Sequence, residues 1–457
     1  MAKKNMAASA GDRLAAALVP AEEQPYQVPE NWCWCRFGSL ASNQYGYTAK
    51  AVEDNAWPKI LRITDIQDGC VDWETVPNCV IEGADLEKYL LRDNDIVIAR
   101  IGATTGKSFL VRNPENAVFA SYLIRIRFAD NLLPEYVYLF LQSDIYWAQI
   151  SELSAGIALP GVNSSKLLTM MFPLPPLAEQ HRIVARITSL FAELDVAKEE
   201  AQAIIDDYED RKTAILHRAF TGELTEEWRK ENKILLESWN TTPLINLCTR
   251  IFDGPFGSNL KSDDYVKSGI RVVRLENLKN LWFDDSKQSF VTEEKYNSIA
   301  AHTVFPSDLI MSTFIADEIK VCQMPEYIGY AVNKADCIGI RVADSVDKLF
   351  VLYYLSSKQT FNFLFNQLHG ATRPRVNTKQ IKAIPVPLPT LAEQHEIVRR
   401  LDSLLSQETA TKEAAEETIT QIATLRQSIL ARAFRGELGT NDPTDEPAIE
   451  LLKRTLL

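Results

Sequence analysis

The chain repeats itself at a fixed offset, so whatever it folds into must be built twice. Residues 174–190 read LPPLAEQHRIVARITSL and residues 388–404 read LPTLAEQHEIVRRLDSL, 214 positions apart. At the same offset ILHRAFTGEL (215–224) matches ILARAFRGEL (429–438), and 174–224 against 388–438 gives 24 identities in 51 ungapped pairs. The repeat extends backwards more weakly. Gly156, Pro160, Val162 and Asn163 pair with Gly370, Pro374, Val376 and Asn377, and YVYLFLQS (136–143) pairs with FVLYYLSS (350–357), at 214. Asp95 pairs with Asp308 at 213, and LRITDI (61–66) with VRLENL (273–278) at 212. Self-similarity of this kind decides the architecture before any local reading does. Each half is a variable first part followed by a better matched second part.

The matched parts read as long helices. Ile183, Val184, Ile187, Leu190, Phe191 and Leu194 recur at steps of three and four, and Ile205, Tyr208, Ile215 and Phe220 continue the stripe. Ile397, Val398, Leu401, Leu404, Leu405, Ile419, Ile422, Leu425, Ile429 and Phe434 do the same in the second half. This is coiled-coil-like periodicity. Pro175 and Pro176 mark a start, and Gly222 and Gly436 mark stops. Each helix is about 45 residues and roughly 65 Å long. Helices of that length need a partner along the stripe, and the nearest partner is the other helix. Their middles, VAKEEAQA and TATKEAAEET, are polar and suit a wetter seam open to another protein.

The variable parts, 28–172 and 239–386, read as mixed α/β: short β-rich runs such as DIVIAR and LIRIRF alternate with turns and helical segments. The connector 173–238 carries the first long helix and 387–438 the second; 1–27 and the tail 439–457, with GTNDPTDEP, read as flexible.

Composition excludes several classes. Hydrophobic residues at 46% and charged residues at 24% are globular, not disordered, and seven scattered cysteines are not a disulfide scaffold. Cys33 and Cys35 form a C-x-C without a second pair, so free or buried thiols in a reducing cytoplasm are expected. No apolar run reaches the roughly 18 residues of a membrane span. The net charge of -12 excludes a uniformly basic coat but not a local basic face.

Catalytic signatures are weak. GATTGKS (102–108) has three residues between its glycines where a phosphate loop needs four. What survives is a small-residue loop with backbone donors and Lys107. Asp308, Glu318 and Lys320 mimic a metal-nuclease pattern, but the aligned first half has Asp95, Thr105 and Lys107. No amino-methyltransferase tetrapeptide and no G-x-G-x-x-G after a strand occurs. Charge placement is more informative. Residues 361–392 lack Asp and Glu yet carry Arg373, Arg375, Lys379 and Lys382; 153–178 is acid-free with Lys166, and 100–114 is acid-free with Arg100, Lys107 and Arg112. Acid-free basic stretches at repeated positions in an acidic chain point to anionic partners.

Two variable regions, each followed by a PLPPLAEQ-like turn and a long helix ending in RAFxGEL, with LTEEWRKEN (224–232) after the first helix, resemble the specificity subunit of Type I restriction-modification systems. The resemblance implies an α+β fold: two mixed α/β target recognition domains, separated by two long helices packed as an antiparallel coiled coil in a pseudo-twofold repeat. It implies a non-catalytic subunit. Each domain reads one half of a bipartite site in double-stranded DNA, and the coiled coil sets the spacer. Two modification subunits carry S-adenosylmethionine and methylate adenine N6; restriction subunits, with ATP and magnesium, cleave. No cofactor, metal or catalytic residue is expected in this chain itself. The DNA-contact candidates are Arg62, Thr64, Arg100, Gly102, Thr104, Thr105, Lys107 and Lys166 in the first half. In the second they are Arg274, Asn277, Ser312, Thr313, Lys320, Arg373, Arg375 and Lys379. Glu179, Gln180, Phe220, Glu393, Gln394 and Phe434 are the partner-docking candidates. The alternative is a metal-dependent DNA nuclease using Asp308, Glu318 and Lys320; a scaffold whose heads bind proteins is a second rival.

Overall fold

A computed structural model describes residues 10–67, 69–129, 131–154, 161–256, 259–368 and 375–456. The chain divides into two compact units, Met1–Glu200 with Thr418–Leu457, and Ala201–Glu417. The division falls inside the long helices. Each unit therefore holds one globular head, the start of the helix that follows that head, and the end of the other helix.

In the first unit the strand Ile96–Ala99 is buried along its length, as a short continuous apolar run demands. It lies in an antiparallel sheet ordered Ala41–Tyr45, Leu123–Phe128, Ile96–Ala99, Ser108–Leu110. A second sheet contains Lys59–Leu61, paired parallel with Ala117–Phe119. Cys33–Arg36 pairs antiparallel with Met171–Leu174 and ties the two ends of the head together.

The second unit rebuilds this plan at the aligned positions. Its corresponding sheet is ordered Cys248–Phe252, Cys337–Val342, Leu309–Ser312, Val321–Gln323. Ile270–Val273 pairs parallel with Ala331–Asn333, and Asn240–Pro243 pairs antiparallel with Pro385–Leu388. In both sheets an arginine on the second strand is clamped to a buried aspartate. Arg127 Nε and Nη2 donate to Asp95 at 2.5 and 2.8 Å, and Arg341 Nε and Nη2 donate to Asp308 at 2.8 and 2.7 Å.

The helices run antiparallel within each unit. In the first, Ile183 and Ile187 from the start of one share a core with Leu430, Ala433 and Phe434 from the end of the other. In the second, Leu216, Ala219 and Phe220 pack with Ile397, Val398 and Leu401. The second helix is unbroken over Leu391–Phe434, 44 residues. The first differs from the single helix that its periodicity predicts: it forms Leu177–Asp206 and Tyr208–Phe220, separated at Asp207. In the polar middles Ala201 and Ala415 are buried while Val196 is 56% exposed.

Residues 10–27 and 439–456 differ from the flexible segments read from composition; residues 1–9 and 457 lie outside the described residues. The helix Ala10–Ala17 packs on the helix Ala448–Leu456, whose Leu451 and Leu452 are buried. Arg182 binds Asp445, and Asn31 Nδ2 donates to Asp442 O at 2.9 Å. The polar tail is held because its side chains and carbonyls have partners on the first unit; composition alone does not reveal partners.

Candidate nucleic-acid interface

The repeated AEQ at each helix start supplies an internal latch. Glu393 is fully buried and accepts hydrogen bonds from Thr225 Oγ1 (2.7 Å), Arg229 Nη1 (2.7 Å) and Trp239 Nε1 (2.9 Å). Thr225 and Arg229 lie just beyond the end of the first helix, and Trp239 opens the second head. Glu179 is equally buried and accepts from Trp32 Nε1 (2.7 Å), Asn441 Nδ2 (2.8 Å) and Thr440 Oγ1 (3.3 Å). The same two places supply donors, the stretch beyond the end of the other helix and the opening of the head, but one set includes a cation and the other is neutral. The neighbouring glutamines repeat as well: Gln180 takes Leu133 N at 2.9 Å and donates to Pro175 O, and Gln394 takes Asp347 N at 2.9 Å and donates to Pro389 O.

Phe434 packs edge-on to Phe140, and Phe220 to Phe350 and Tyr354. Docking through Glu179, Gln180, Phe220, Glu393, Gln394 and Phe434 is therefore corrected. All six are buried inside their own units, because the latch donors and the head cores claim them.

The heads share a second construction, at one edge of each sheet. In the first unit Ala120 N donates to Leu61 O (2.9 Å), Arg100 N to Tyr122 O (3.0 Å) and Val162 N to Arg100 O (2.8 Å). In the second Lys334 N donates to Val273 O (2.8 Å), Thr313 N to Asp336 O (2.9 Å) and Val376 N to Thr313 O (2.9 Å). These are the same bonds at aligned positions. They gather the turn after the strand ending at 61 or 273, the loop at 120–122 or 334–336, and the segment at 161 or 375. A glycine permits the close approach of a further loop. A Cβ on Gly46 would stand 2.1 Å from Ala120 O, and one on Gly254 2.1 Å from the carbonyl carbon of Lys334.

Several DNA-contact candidates sit on or beside this edge. Arg62 is exposed, paired with Asp65, and starts a one-turn helix with Thr64 exposed. Arg274 starts the matching turn and lies 5.5 Å above the Tyr265 ring. Arg100 lies 4.9 Å above the Tyr45 ring. Gly102 and Thr104 form the adjoining turn, and Lys107 and Lys379 are exposed. Lys320 is half-buried, with its carbonyl taken by Ser312 N as that of Lys107 is by Ala99 N, both at 2.8 Å. Arg375 is exposed, ion-paired with Asp336 and 5.2 Å above the Phe314 ring. Arg373 lies outside the described residues.

Other candidates are corrected, because intramolecular bonds absorb their polar atoms or burial removes them from the surface. Asn277 is buried and donates to Asp284 O and Lys287 O; Ser312 hydrogen-bonds the backbone of Phe314. Thr313 is buried, and Thr105 is buried with its hydroxyl donating to Gly102 O; Lys166 is not among these, being half-exposed with one ammonium bond to Leu153 O at 2.6 Å. Sequence reasoning passed over Tyr45, Tyr122, Phe314 and Asp336. Nothing local marks them, since the partners that give them a place are distant in the chain, up to the 119 positions between Tyr45 and Ser164.

The nuclease alternative has no geometry to support it. Asp308 is occupied by Arg341, and the pairing of Leu309 with Gln323 and Met311 with Val321 puts Glu318 at the far end of the hairpin. That is about 13 Å along the strand. Glu318 and Lys320 line an open cleft of about 580 Å³ that does not include Asp308. The cysteines are free thiols, and burial pushes those of Cys33, Cys248 and Cys322 up to about 12, away from nucleophilic use. No described helix is long and apolar enough to cross a membrane.

Comparison with known proteins agrees with this architecture. Residues 60–204 and 257–421 match the family described as Type I restriction modification DNA specificity domain. The chain is 26% identical to the Type I restriction enzyme StySPI specificity subunit of Salmonella potsdam, over 92% of each chain. It is 24% identical to the EcoKI specificity subunit of Escherichia coli K12, again over 92% of each. Its fold is similar to that of the HsdS subunit from Thermoanaerobacter tengcongensis, with a TM-score of 0.59 at 21% identity over 91% of this chain and all of that one. A chain solved in work on complex assembly and conformational transition of the type I R-M system gives a TM-score of 0.67 at 21% identity, with the same coverage. With two matched segments, one in each half of the repeat, the chain belongs to the Type I restriction-modification DNA specificity family, as a DNA-recognition subunit and not a catalyst.

Proposed function

We propose that each head reads one half of a bipartite DNA site through the hydrogen-bonded edge described above. The observation that carries this is the pairing of constant backbone with changed side chains: identical main-chain bonds at 61/273, 100/313 and 162/376, but Tyr122 against Asp336 and Gly161 against Arg375. A common frame bearing different side chains is what two readers of different base sequences require. Arg100, Lys107, Lys320 and Lys379 supply phosphate contacts around it.

The subunit would position two modification subunits, which bring S-adenosylmethionine for adenine-N6 methylation, and restriction subunits, which bring ATP and magnesium for cleavage, in the cytoplasm. With Glu179, Gln180, Phe220, Glu393, Gln394 and Phe434 turned inward, the exposed polar middles of the long helices are the surface proposed for docking.

Exchanging residues 41–129 for the matching part of another family member leaves the latch and both long helices in place. Mapping methylated adenines in cells carrying the exchanged chain and its modification subunits should show one half of the motif changed and the other kept. A change in both halves, or in neither, would overturn separate reading.

A further inference from the structure

We propose that Arg375 reads a guanine in the half-site of the second head, with Asp336 as its positioning residue and Phe314 as its platform. This deepens the reading above and rests on it. Three observations place Arg375. The backbones of Phe314 and Arg375 form a β-bridge, and Val376, buried, donates to Thr313 O at 2.9 Å, so the residue's main chain is held on both sides. Its guanidinium lies 5.2 Å from the Phe314 ring centre. Its Nη2 is paired with Asp336, whose side chain is 24% exposed while that of Arg375 is 52% exposed. Asp336 is itself held, in the left-handed region at φ 78°, by a turn in which Cys337 N donates to Lys334 O.

The ion pair decides between the two things an arginine does on DNA. A phosphate clamp is improved by unopposed positive charge, and a carboxylate alongside repels the phosphate. A base edge carries no net charge, so the carboxylate is opposed far less there than beside a phosphate, and it can orient the planar fork for bidentate donation to guanine O6 and N7. The first head lacks the arrangement: at the aligned positions stand Ile101, Tyr122 and Gly161. The effect is therefore confined to one half-site.

The full chain with its modification subunits is tested on duplexes carrying the mapped motif. Arg375→Lys keeps the charge but loses the fork; it should lower discrimination at one guanine on the order of ten- to a hundredfold, with the other half-site unaffected. Asp336→Asn should lower discrimination at that same base. Both results support the assignment. If Arg375 meets a phosphate instead, Arg375→Lys leaves the motif intact, and Asp336→Asn tightens binding to every duplex, because a repulsive charge has gone; either result overturns the assignment.

A measurement on the unaltered protein guards against misfolded variants. Replacing guanines one at a time by 7-deazaguanine removes N7, and one position in the second half-site should weaken binding while inosine at that position does not. Indifference to 7-deazaguanine throughout that half-site also overturns it. A complex that binds and methylates without sequence preference sinks the half-site reading itself, which is a separate outcome.

Discussion

Arg229 and Asn441 do the same task for two glutamates at corresponding helix starts, and they differ in what their loss should cost. Arg229 neutralises the buried Glu393, so Arg229→Ala leaves a carboxylate without its cation and should destabilise the second unit by about 3–5 kcal/mol in chemical unfolding. Asn441→Ala removes one neutral donor of three from Glu179 and should cost about 1–3 kcal/mol in the first unit. Equal losses would show that the charge of Arg229 is irrelevant to the latch. Gly254→Ala should cost about 1–3 kcal/mol and weaken DNA binding by the second head, because its Cβ would collide with the Lys334 backbone. A variant as stable and as tight as the parent would remove the close crossing from the argument. The sequence marks Glu179 and Glu393 plainly, by repeating them, yet offers no sign that they are buried. Their donors stand up to 262 positions away in the chain, and polarity alone argues for the surface.

Among the elements, the long helices were the most legible, since apolar residues at three- and four-residue steps survive any tertiary context. The interruption at Asp207 was not, because the stripe of Ile205 and Tyr208 runs straight through it. The strands of the heads were legible as β-rich runs but their order was not. Sheet order depends on pairings across long stretches of chain, and the repeat says only that the order occurs twice. Near the start of the second helix Glu396 accepts from Arg399 and Arg400, whose hydrogen bonds and charge lower its carboxyl from the ordinary 4.5 to about 2. The folded value is depressed, so its contribution is complete above pH about 4.5 and is lost as the pH falls towards 2. Glu396→Gln should therefore lower the melting temperature at pH 7, by an amount that shrinks with added salt and narrows below pH 4.5. A difference independent of both pH and salt would mean that packing, not charge, is what the substitution disturbs.

At the level of the whole molecule, the chain passes from one unit to the other inside the long helices, after Glu200 and after Glu417. Four residues inserted beside Glu199 and Glu200 add roughly one turn, about 5.4 Å, against about 3.4 Å per base pair of B-DNA. If the helices set the spacer, the methylated motif should keep both halves and gain one or two unread base pairs between them; an active insertion variant with the old spacing would exclude that role. The main-chain bonds of the reading edge have a consequence of another kind. Ala120, Arg100 and Val162 donate through amide N–H groups, as do Lys334, Thr313 and Val376. Every residue but proline has such a group, so the bonds themselves dictate no side chain: burial holds Val162, Thr313 and Val376, but the exposed Tyr122 and Arg375 beside them can change without dismantling the frame. Such a scaffold separates spelling from grammar: one substitution can alter the word that is read while the means of reading stays intact.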